Sequence, residues 1–357
     1  MVKIATVFGT RPEIIKMSQL IPLFDKHFDH KFVYTGQHFS ENMKDIFFSE
    51  LKVRNPDVIL DSKSSDYQVL IKSSVDALRE INPDYVLVYG DTNSTLSASV
   101  AAKILNRPII HVEAGLRSFD KEMFEEVNRI VTDHFSKILF TPTKYTEDLL
   151  HNEGIFNNVF VVGNTIVDAV KFYSDKIAQS RILEKMNFSA GEYVLLTLHR
   201  QETVDRPDRL EKIIAALSQI DQKIVFPVHP RTELRLNEFN ISLPKNVTKM
   251  PPIGYFDFLK LLENSFFVMT DSGGVQEEAI TVKTPCITLR KSTERMETIE
   301  AGANFLVGFD TEKIVNHAKL AAQPEMQEKV KAIRNPYGDG TTSKQIVEIL
   351  EKNIETK

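Results

Sequence analysis

Short apolar runs alternate with amphipathic segments along the first half of the chain. The apolar runs predict strands at residues 3–8, 31–35, 85–89, 108–112, 138–141 and 159–162. Helical periodicity predicts the helices between them, at about 14–27, 40–48, 69–81, 94–106 and 125–135. Strands that are apolar on both faces are typical of a parallel sheet with helices on both sides. The alternation therefore predicts a doubly wound α/β domain.

The same alternation restarts after a hinge at residues 163–165 and a helical stretch at 166–186. The second set of strands is predicted at 193–198, 223–227, 247–250, 266–270 and 286–289, with helices that include 210–218 and 256–263. A final helix is predicted from about 342 to 353. The pattern indicates two α/β domains, at residues 1–165 and 166–341. Ligands of open α/β sheets bind beyond the carboxyl ends of the strands, so we expect the active site in the cleft between the two domains.

Composition and charge narrow the class of protein. With 357 residues, 42% of them hydrophobic and 26% charged, the chain is long enough for about two domains. A net charge of −5 argues against a general nucleic-acid or anionic-membrane binder, which would be basic. No apolar run approaches the ~20 residues that span a bilayer, and the N-terminus predicts a first strand rather than a signal peptide. We therefore expect a cytoplasmic protein.

The residues available for covalent or metal chemistry are few. The only cysteine, Cys286, excludes an internal disulfide and a cysteine-rich metal site. It lies in an apolar, strand-like run, which favours a buried structural thiol over a nucleophile. The histidines are dispersed, and neither an H-E-x-x-H nor a G-x-S-x-G motif occurs. The sequence therefore predicts no metal centre and no nucleophilic serine.

One stretch, residues 268–279, has the pattern of a phosphate-binding turn. An apolar, strand-forming run ends in Thr-Asp-Ser-Gly-Gly, and a helix-forming segment follows. Glycines allow a ligand to approach the backbone closely, and the N–H groups at a helix start attract anions, to which Ser272 adds a hydroxyl donor. Glu277 and Glu278 on that helix suit a neutral part of the ligand, such as a ribose diol. The alternative is an ordinary turn capped by Asp271 or Ser272.

Polar side chains capable of chemistry follow the other predicted strands as well. They are Arg11, Lys16, Gln37, His38, Asp91, Glu113, Arg117, His199, Arg200, Glu202, His229 and Arg231. Asp91 has a structural alternative, as the cap of the helix that begins near Ser94. Glu113 lies directly after a buried strand and shortly before a glycine, and a carboxylate at such a position indicates a functional role. Arg117 is a possible salt-bridge partner for it.

Structural alternatives also exist for the histidines and for an acidic segment. His199 and His229 are candidates for satisfied core histidines, although two at strand ends in one half favour a site. The acid-rich segment 122–126 is typical of a solvated helix start. Glu125 and Arg129 are spaced as an exposed i, i+4 ion pair worth ~0.3–0.5 kcal/mol. Carboxylates and histidine together with a phosphate-binding turn indicate acid–base chemistry on a nucleotide sugar or sugar phosphate.

Eight motifs in order along the chain closely resemble the non-hydrolysing UDP-N-acetylglucosamine 2-epimerases of bacteria and archaea. The motifs are Gly9-Thr-Arg-Pro-Glu, Gly90-Asp-Thr, His111-Val-Glu-Ala-Gly-Leu-Arg, Glu125-Glu-Val-Asn-Arg, His199-Arg-Gln-Glu, Asp271-Ser-Gly-Gly-Val-Gln-Glu-Glu-Ala, Thr293-Glu-Arg and Asn335-Pro-Tyr-Gly-Asp-Gly. The resemblance implies a GT-B fold, with two Rossmann-like domains, an active-site cleft between them, a C-terminal helix (about 342–357) that packs back onto the first, and a homodimer.

The resemblance also implies an activity: interconversion of UDP-GlcNAc and UDP-ManNAc without metal or nicotinamide, supplying ManNAc for cell-surface glycans. In the family's proposed mechanism, the proton on sugar carbon 2 is removed as UDP leaves carbon 1. The 2-acetamidoglucal intermediate then re-adds UDP and is protonated on the opposite face. The alternatives are an epimerase of another UDP-2-acetamido sugar, a hydrolysing epimerase that releases ManNAc, a GT-B glycosyltransferase and a UDP-sugar sensor.

The resemblance assigns roles residue by residue. The acid–base positions are Asp91, Glu113, Glu125 and His199. The UDP-sugar positions are Arg11, Lys16, Arg129, Ile253, Phe258, Ser272, Gly273, Gly274, Glu278 and Arg295, with Glu278 at the ribose and Ile253 and Phe258 at the uracil. A second, activating UDP-GlcNAc implicates Gln37, Arg200 and His229. The chain departs from the family pattern at Ser40 and Tyr67, and it lacks the family's usual proline both in the segment Glu122-Met-Phe before Glu125 and at Met296.

Overall fold

The structure is a computed structural model that describes residues 1–37, 48, 50–60, 62 and 64–354. The chain divides into two compact units. The first comprises Met1–Ala169 and the C-terminal segment from Tyr337, and the second comprises Val170–Pro336. The helix predicted at 40–48 lies, apart from Phe48, outside the described residues, and so do His38 and Ser40.

The first unit contains a seven-stranded parallel sheet in the order β3-β2-β1-β4-β5-β6-β7. Its strands are β1 Lys3–Phe8, β2 Asp29–Tyr34, β3 Val58–Ile59, β4 Tyr85–Tyr89, β5 Ile109–Val112, β6 Ile138–Thr141 and β7 Val159–Val161. The six predicted strands are confirmed. β3 was not predicted, because a strand of two residues is too short to produce a periodic pattern.

Helices connect these strands. They are α1 Arg11–Met17, α2 Leu20–His27, α3 Tyr67–Ile81, α4 Asn93–Ile104, α5 Phe124–Phe135, α6 Lys144–Asn152 and α7 Thr165–Phe172. The single helix predicted at 14–27 is two helices, α1 and α2, with Ser18 and Gln19 between them. α3 begins at Tyr67 because the Asp66 carboxylate caps it, accepting from the backbone N–H groups of Gln68 and Val69 at 2.8 and 3.2 Å.

The second unit contains a six-stranded parallel sheet in the order β10-β9-β8-β11-β12-β13. The strands are β8 Tyr193–Thr197, β9 Lys223–Pro227, β10 Val247–Met250, β11 Val268–Thr270, β12 Cys286–Thr288 and β13 Asn304–Leu306. This is the strand order of a dinucleotide-binding Rossmann sheet, and the first unit repeats it with one strand more. The predicted Rossmann-like fold is thus confirmed in both units.

The helices of the second unit and the C-terminal helix follow in chain order. They are α8 Ser174–Gln179, α9 Ile182–Met186, α10 Gln201–Val204, α11 Pro207–Leu217, α12 Pro230–Glu238, α13 Tyr255–Glu263, α14 Gly273–Thr281, α15 Met296–Glu300, α16 Thr311–Ala321, α17 Pro324–Ala332 and α18 Thr342–Asn353. Within the described part of the chain, no helix has the length and apolar character needed to cross a membrane.

Apolar packing on both faces of each sheet explains the near-continuous hydrophobic strands. Val86, Leu87 and Val88 of β4 are completely buried, and each such side chain contributes about 1.5–3 kcal/mol of hydrophobic free energy. In the second sheet Cys286 is buried, and burial raises the pKa of its thiol to about 12. The expected structural thiol is therefore confirmed.

The C-terminal helix α18 belongs to the first unit. The buried carboxylate of Asp168, on α7, accepts from the backbone N–H groups of Thr342 and Ser343 at 3.2 and 2.6 Å and so caps α18. At the other end of the helix, Glu351 lies 2.7 Å from Nδ1 of His27 on α2.

Candidate active site

The carboxyl end of the first sheet carries two of the four predicted acid–base residues, Asp91 and Glu113. β4 lies between β1 and β5, so the segments that follow these three strands leave the sheet side by side. They carry Lys16 on α1, Asp91 after β4 and Glu113 after β5. Parallel strands place such segments where ligands of α/β proteins bind.

Glu113 is buried and has a positive φ of 69°, a backbone conformation uncommon for residues other than glycine. Its carboxylate forms an ion pair with Lys16, whose side chain is 8% exposed. The carboxylate also accepts from the hydroxyl of Tyr89 at 3.2 Å and from Nδ2 of Asn164 at 3.3 Å. The cation beside Glu113 is therefore Lys16, and the predicted partnership with Arg117 is wrong.

Arg117 instead belongs to a buried structural network. Its guanidinium lies 2.7 Å from Asp133 and donates to Glu153 at 2.7 Å. Asp133 also contacts Nδ1 of His111 at 2.7 Å, and Nε2 of His111 lies 2.8 Å from the carbonyl oxygen of Gly90. Burial alone would raise the pKa of Asp133, but His111 and Arg117 outweigh it and lower the pKa. This network fixes the end of β5.

Asp91 is partly exposed and accepts from Nη2 of Arg129 at 2.5 Å, while Nη1 of Arg129 donates to Glu126 at 3.0 Å. Because Arg129 is buried, the alternative of an exposed ion pair is wrong. The alternative of Asp91 as a helix cap is also wrong, because Thr92 caps α4 by accepting from the N–H of Thr95 at 3.2 Å. Asp91 is therefore held by the arginine.

The structural role of Glu126 was not predicted from the sequence. This carboxylate is buried and accepts from the N–H and hydroxyl of Ser118 at 2.8 and 3.0 Å, and from the N–H of Phe119 at 2.9 Å. A solvated helix start is therefore wrong for Glu126. Its neighbour Glu125, a predicted acid–base residue, is half-buried in the first turn of α5. Adjacent acids in a charged segment carry no sequence signal for which of them is buried.

A second missed residue is Glu13, which is buried on α1. Its carboxylate accepts from the N–H groups of Gly9 and Thr10 at 3.1 and 2.7 Å, and from the hydroxyl of Thr92 at 3.1 Å. Burial raises the pKa of Glu13 to about 7, although these hydrogen bonds oppose the shift. The T-x-x-E spacing of a capping box is a sequence signal that could have identified it. Its hydrogen bonds therefore link the segment that carries Arg11 to the segment that carries Asp91.

In the second unit, the predicted phosphate-binding turn has the expected strand, turn and helix. Ser272 is the N-cap of α14, and its side chain makes no capping hydrogen bond to the described residues. A Cβ on Gly273 would lie 2.7 Å from Oε1 of Glu294, whereas a Cβ on Gly274 would meet no described atom within 4 Å. The alternative of an ordinary turn capped by Asp271 or Ser272 is therefore wrong, and Gly274 faces open space.

Asp271 fixes the loop after β8 instead of capping α14. Its buried carboxylate accepts from the N–H groups of His199 and Arg200 at 3.0 and 2.9 Å, and Nδ1 of His199 lies 3.3 Å away. Burial alone would raise the pKa of Asp271, but the His199 ring and these N–H groups outweigh it and lower the pKa. The side chain of His199 is 41% exposed and its ring centroid lies 5.7 Å from that of the exposed His229, so neither is a core histidine.

Buried ion pairs surround the start of α14. Arg295 pairs with Glu277 of α14, and Arg290 donates to Glu294 at 3.0 Å. Arg200 lies 3.8 Å from the same glutamate. Nη2 of Arg200 would lie 3.9 Å from a Cβ on Gly273, and an arginine beside a helix N-terminus suits an anionic ligand.

The remaining UDP-sugar residues lie on or beside these elements. Glu278 is buried on α14, Phe258 is half-buried on α13, and Ile253 is half-buried before α13. Arg11 is half-buried at the first position of α1. These positions match the predicted sequence context of each residue, while their roles remain proposals.

Two residues bear on the predicted activator site in the first unit. Oε1 of Gln37 accepts from the N–H and hydroxyl of Ser94 at 2.9 and 2.7 Å. Tyr67, which stands where the family pattern has arginine, donates through its hydroxyl to Oδ1 of Asn128 at 3.0 Å. Ser40, the second residue of the predicted activator site that departs from the family pattern, lies outside the described residues.

Among the described residues, one group could offer ligands to a metal, namely Glu147, Asp148 and His151 of α6. Lys144 already pairs with Glu147 and lies 3.2 Å from Asp148. Asp148 of this group is exposed, and Glu147 and His151 are half-buried.

Comparison with known proteins relates this architecture to one family. A family model described as UDP-N-acetylglucosamine 2-epimerase matches residues 24–351. The UDP-N-acetylglucosamine 2-epimerase of Methanocaldococcus jannaschii is 44% identical over 98% of both chains. The UDP-2,3-diacetamido-2,3-dideoxy-D-glucuronate 2-epimerase of Pseudomonas aeruginosa is 38% identical, over 98% of this chain and 99% of its own.

Solved structures agree with the family match. The crystal structure of the M. jannaschii enzyme in complex with UDP-GlcNAc and UDP has a TM-score of 0.91 at 42% identity, covering 99% of this chain and 100% of the other. The structure of the Neisseria meningitidis enzyme bound to UDP-GlcNAc has a TM-score of 0.89 at 34% identity, with the same coverage. The predicted two-domain, Rossmann-like GT-B fold is consistent with both. This chain therefore belongs to the UDP-N-acetylglucosamine 2-epimerase family.

Proposed function

We propose that this protein interconverts UDP-GlcNAc and UDP-ManNAc by inverting sugar carbon 2. The observation that carries the proposal is the pair of carboxylates after β4 and β5, Asp91 and Glu113, each of which faces a buried cation. The relatives whose names state this activity match 98% of the chain or more, which supports the same substrate class here.

The reaction requires a proton transfer on each face of the sugar. A carboxylate removes the proton on carbon 2 while the bond between carbon 1 and the UDP oxygen breaks, and the C1–C2 double bond of 2-acetamidoglucal forms. UDP carries away the electron pair of the broken bond. In the return step the UDP oxygen attacks carbon 1, and an acid on the opposite face protonates carbon 2. We assign these transfers to Glu113, Asp91, Glu125 and His199.

The carbon-2 hydrogen is a weak acid, so departure of UDP must be assisted by stabilising the diphosphate charge. We assign this role to the N-terminus of α14, at Ser272, Gly273 and Gly274, and to Arg11, Lys16 and Arg295. The open space beside Gly274 supports the assignment. Glu278 is assigned to the ribose, and Ile253 and Phe258 to the uracil.

A second candidate is epimerisation of another UDP-2-acetamido sugar. The observation that favours it is the P. aeruginosa relative, named for a UDP-2,3-diacetamido glucuronate, at 38% identity over 98% of this chain. Its chemistry at carbon 2 would be the same, so the residues after β4 and β5 would serve both substrates. The substituents on carbons 3 and 6 would then decide between them.

We further propose a homodimer that supplies ManNAc units for cell-surface glycans. An activating UDP-GlcNAc would use Gln37, Arg200 and His229. In the structure the Gln37 amide oxygen is held by Ser94, so a second nucleotide sugar would have to displace that contact or bind around it.

The proposed activity is tested by proton NMR of UDP-GlcNAc with the purified protein in D₂O. We expect the carbon-2 proton signal to disappear as UDP-ManNAc appears, because proton transfer exchanges it with solvent. Free ManNAc with UDP would indicate a hydrolysing enzyme. No change with excess UDP-GlcNAc, followed by exchange with a UDP-2,3-diacetamido sugar, would replace the first candidate with the second.

A further inference from the structure

Two motifs without an assigned role, Gly163-Asn164-Thr165 and Asn335-Pro-Tyr-Gly-Asp-Gly, contact each other in the first unit. The N–H of Asn164 donates to the carbonyl oxygen of Tyr337 at 2.9 Å. Gly163 has a φ of 92°, and a Cβ there would lie 2.6 Å from the same oxygen. Tyr337 is the residue at which the chain re-enters the first unit. The backbone before α7 therefore packs directly against the returning chain.

The side chain of Asn164 points toward the candidate active site. It is buried, and its Nδ2 donates to Oε2 of Glu113 at 3.3 Å. Its Oδ1 accepts from the N–H of Ile166 at 3.0 Å, in the first turn of α7. A backbone N–H can only donate, so this second bond fixes which amide atom faces Glu113. The hydroxyl of Tyr89, which also reaches Glu113, lies 2.9 Å from Oγ1 of Thr165.

We propose that Asn164 is a positioning residue for Glu113, whose amide holds the carboxylate in the orientation needed for proton transfer. Its contacts with Glu113, Ile166 and the Tyr337 carbonyl tie that orientation to the segment that leaves the first unit and to the one that returns. This inference rests on the proposed function, because it takes Glu113 as an acid–base group.

The proposal depends on the amide N–H group of Asn164, which favours the ionised form of Glu113 over the protonated form. An N–H group stabilises the ionised form of a carboxylate and restricts the directions from which the carboxylate can accept a proton. Lys16 from α1 and Tyr89 from β4 are charged or titratable groups that the structure places against Glu113. Both approach Oε2, as does Asn164. Oε1 is the oxygen nearest to Gly90, on the side of the loop that carries Asp91.

The informative substitution is Asn164→Asp. It keeps the size of the side chain, the acceptor for the Ile166 N–H and the backbone bond to Tyr337, but it replaces the donor with a second carboxylate. A like charge beside Glu113 disfavours ionisation of Glu113. The matched control is Asp168→Asn, which alters the cap of α18 where the chain returns and does not touch Glu113.

Two readouts test the inference. The first is the carboxyl titration of Glu113 followed by carbon-13 NMR in glutamate-labelled protein, with the resonance assigned by its absence in Glu113→Gln. The second is the pH profile of kcat/KM for UDP-GlcNAc. For Asn164→Asp we expect the titration midpoint and the acid limb to move to higher pH by about one unit, and kcat to fall about tenfold or more. For Asp168→Asn we expect a lower Tm with both profiles unchanged.

The outcomes separate this inference from the proposed function. If wild-type protein does not epimerise UDP-GlcNAc, the proposed function fails, and the titration alone then decides whether Asn164 controls the ionisation of Glu113. An Asn164→Asp titration that coincides with that of the wild type overturns the inference. So does a loss of Tm in both variants without any change in pH profile, because that result describes a purely structural residue.

Discussion

The guanidinium of Arg129 bridges two carboxylates, donating to Asp91 at 2.5 Å and to Glu126 at 3.0 Å. Asp91 follows β4, whereas Glu126 lies on α5 and holds the segment at Ser118 and Phe119. One buried cation therefore sets the position of a predicted acid–base group relative to a loop and a helix. Only the planar guanidinium of arginine can donate to both carboxylates in this way.

Replacing Arg129 with lysine should keep the charge and lose the bridge. A single ammonium group cannot make both hydrogen bonds in this geometry, so Asp91 becomes free to rotate. We expect kcat to fall at least about tenfold, with little change in UDP binding measured by calorimetry. The matched control is Arg79→Lys on α3, an exposed residue whose nearest carboxylate lies 3.5 Å away. Equal activity of the two variants would contradict the role of the bridge.

Glu113→Gln and Asp91→Asn should each remove a group needed for proton transfer. We expect a loss of at least about 100-fold in kcat for each variant. UDP binding should persist, because the predicted phosphate-binding turn is in the second unit. Circular dichroism must accompany the assay for Glu113→Gln, because that change leaves Lys16 without its carboxylate. The exposed Glu80→Gln serves as the control. Wild-type turnover in both variants would remove these residues from the mechanism.

Alanine substitutions at the two glycines of the phosphate turn should have opposite effects. A methyl group on Gly273 would clash with Glu294, so we expect Gly273→Ala to lower the thermal stability. A methyl group on Gly274 enters open space, and alanine in a helix gains up to about 1 kcal/mol over glycine. We expect Gly274→Ala to keep or raise Tm and to weaken UDP binding about tenfold or more. A UDP affinity equal to that of the wild type would show that the diphosphate does not bind at this turn.

Glu13→Gln should change how stability depends on pH. Burial raises the pKa of Glu13 from 4.5 to about 7, so between these values the folded protein holds a proton that the unfolded chain releases. Its contribution to stability is therefore full below pH 4.5 and is lost as the pH rises toward 7. The loss amounts to roughly 3 kcal/mol.

The glutamine variant cannot ionise, yet it offers an oxygen to the Gly9 and Thr10 N–H groups and an amide to the Thr92 hydroxyl. Urea unfolding at a series of pH values should show a flatter dependence for Glu13→Gln than for wild type over this window. Identical slopes would mean that Glu13 is ionised in the folded protein throughout.

The sheets were predictable because their strands are apolar on both faces and so appear in the sequence as continuous runs of apolar residues. Five strands, β1, β4, β6, β9 and β10, begin and end where the pattern places them. β3 and β13, of two and three residues, were not predicted. The break between α1 and α2 was also missed, although Pro22, the third residue of α2, is a signal that the helical pattern is interrupted.

Site residues were predictable where position along the chain determines position in space. Residues after adjacent parallel strands must emerge together, and so the neighbouring positions of Asp91 and Glu113 could be predicted. Their partners were not found, because ion pairing depends on side-chain direction across elements distant in sequence. Lys16 rather than Arg117 faces Glu113, across 97 positions of the chain. Asn164 contacts Glu113 across 51 positions, and nothing local to it indicates that contact.

Because Cys286 is buried, the reactivity of its thiol reports local opening of the second sheet. The molecule has one thiol, it lies within β12, and its raised pKa of about 12 keeps it protonated at neutral pH. A thiol-specific reagent reacts with the thiolate, and so it modifies this protein only when the second sheet separates. The rate of labelling therefore measures how often the second unit opens at β12, and under the proposed function a bound UDP sugar should slow it.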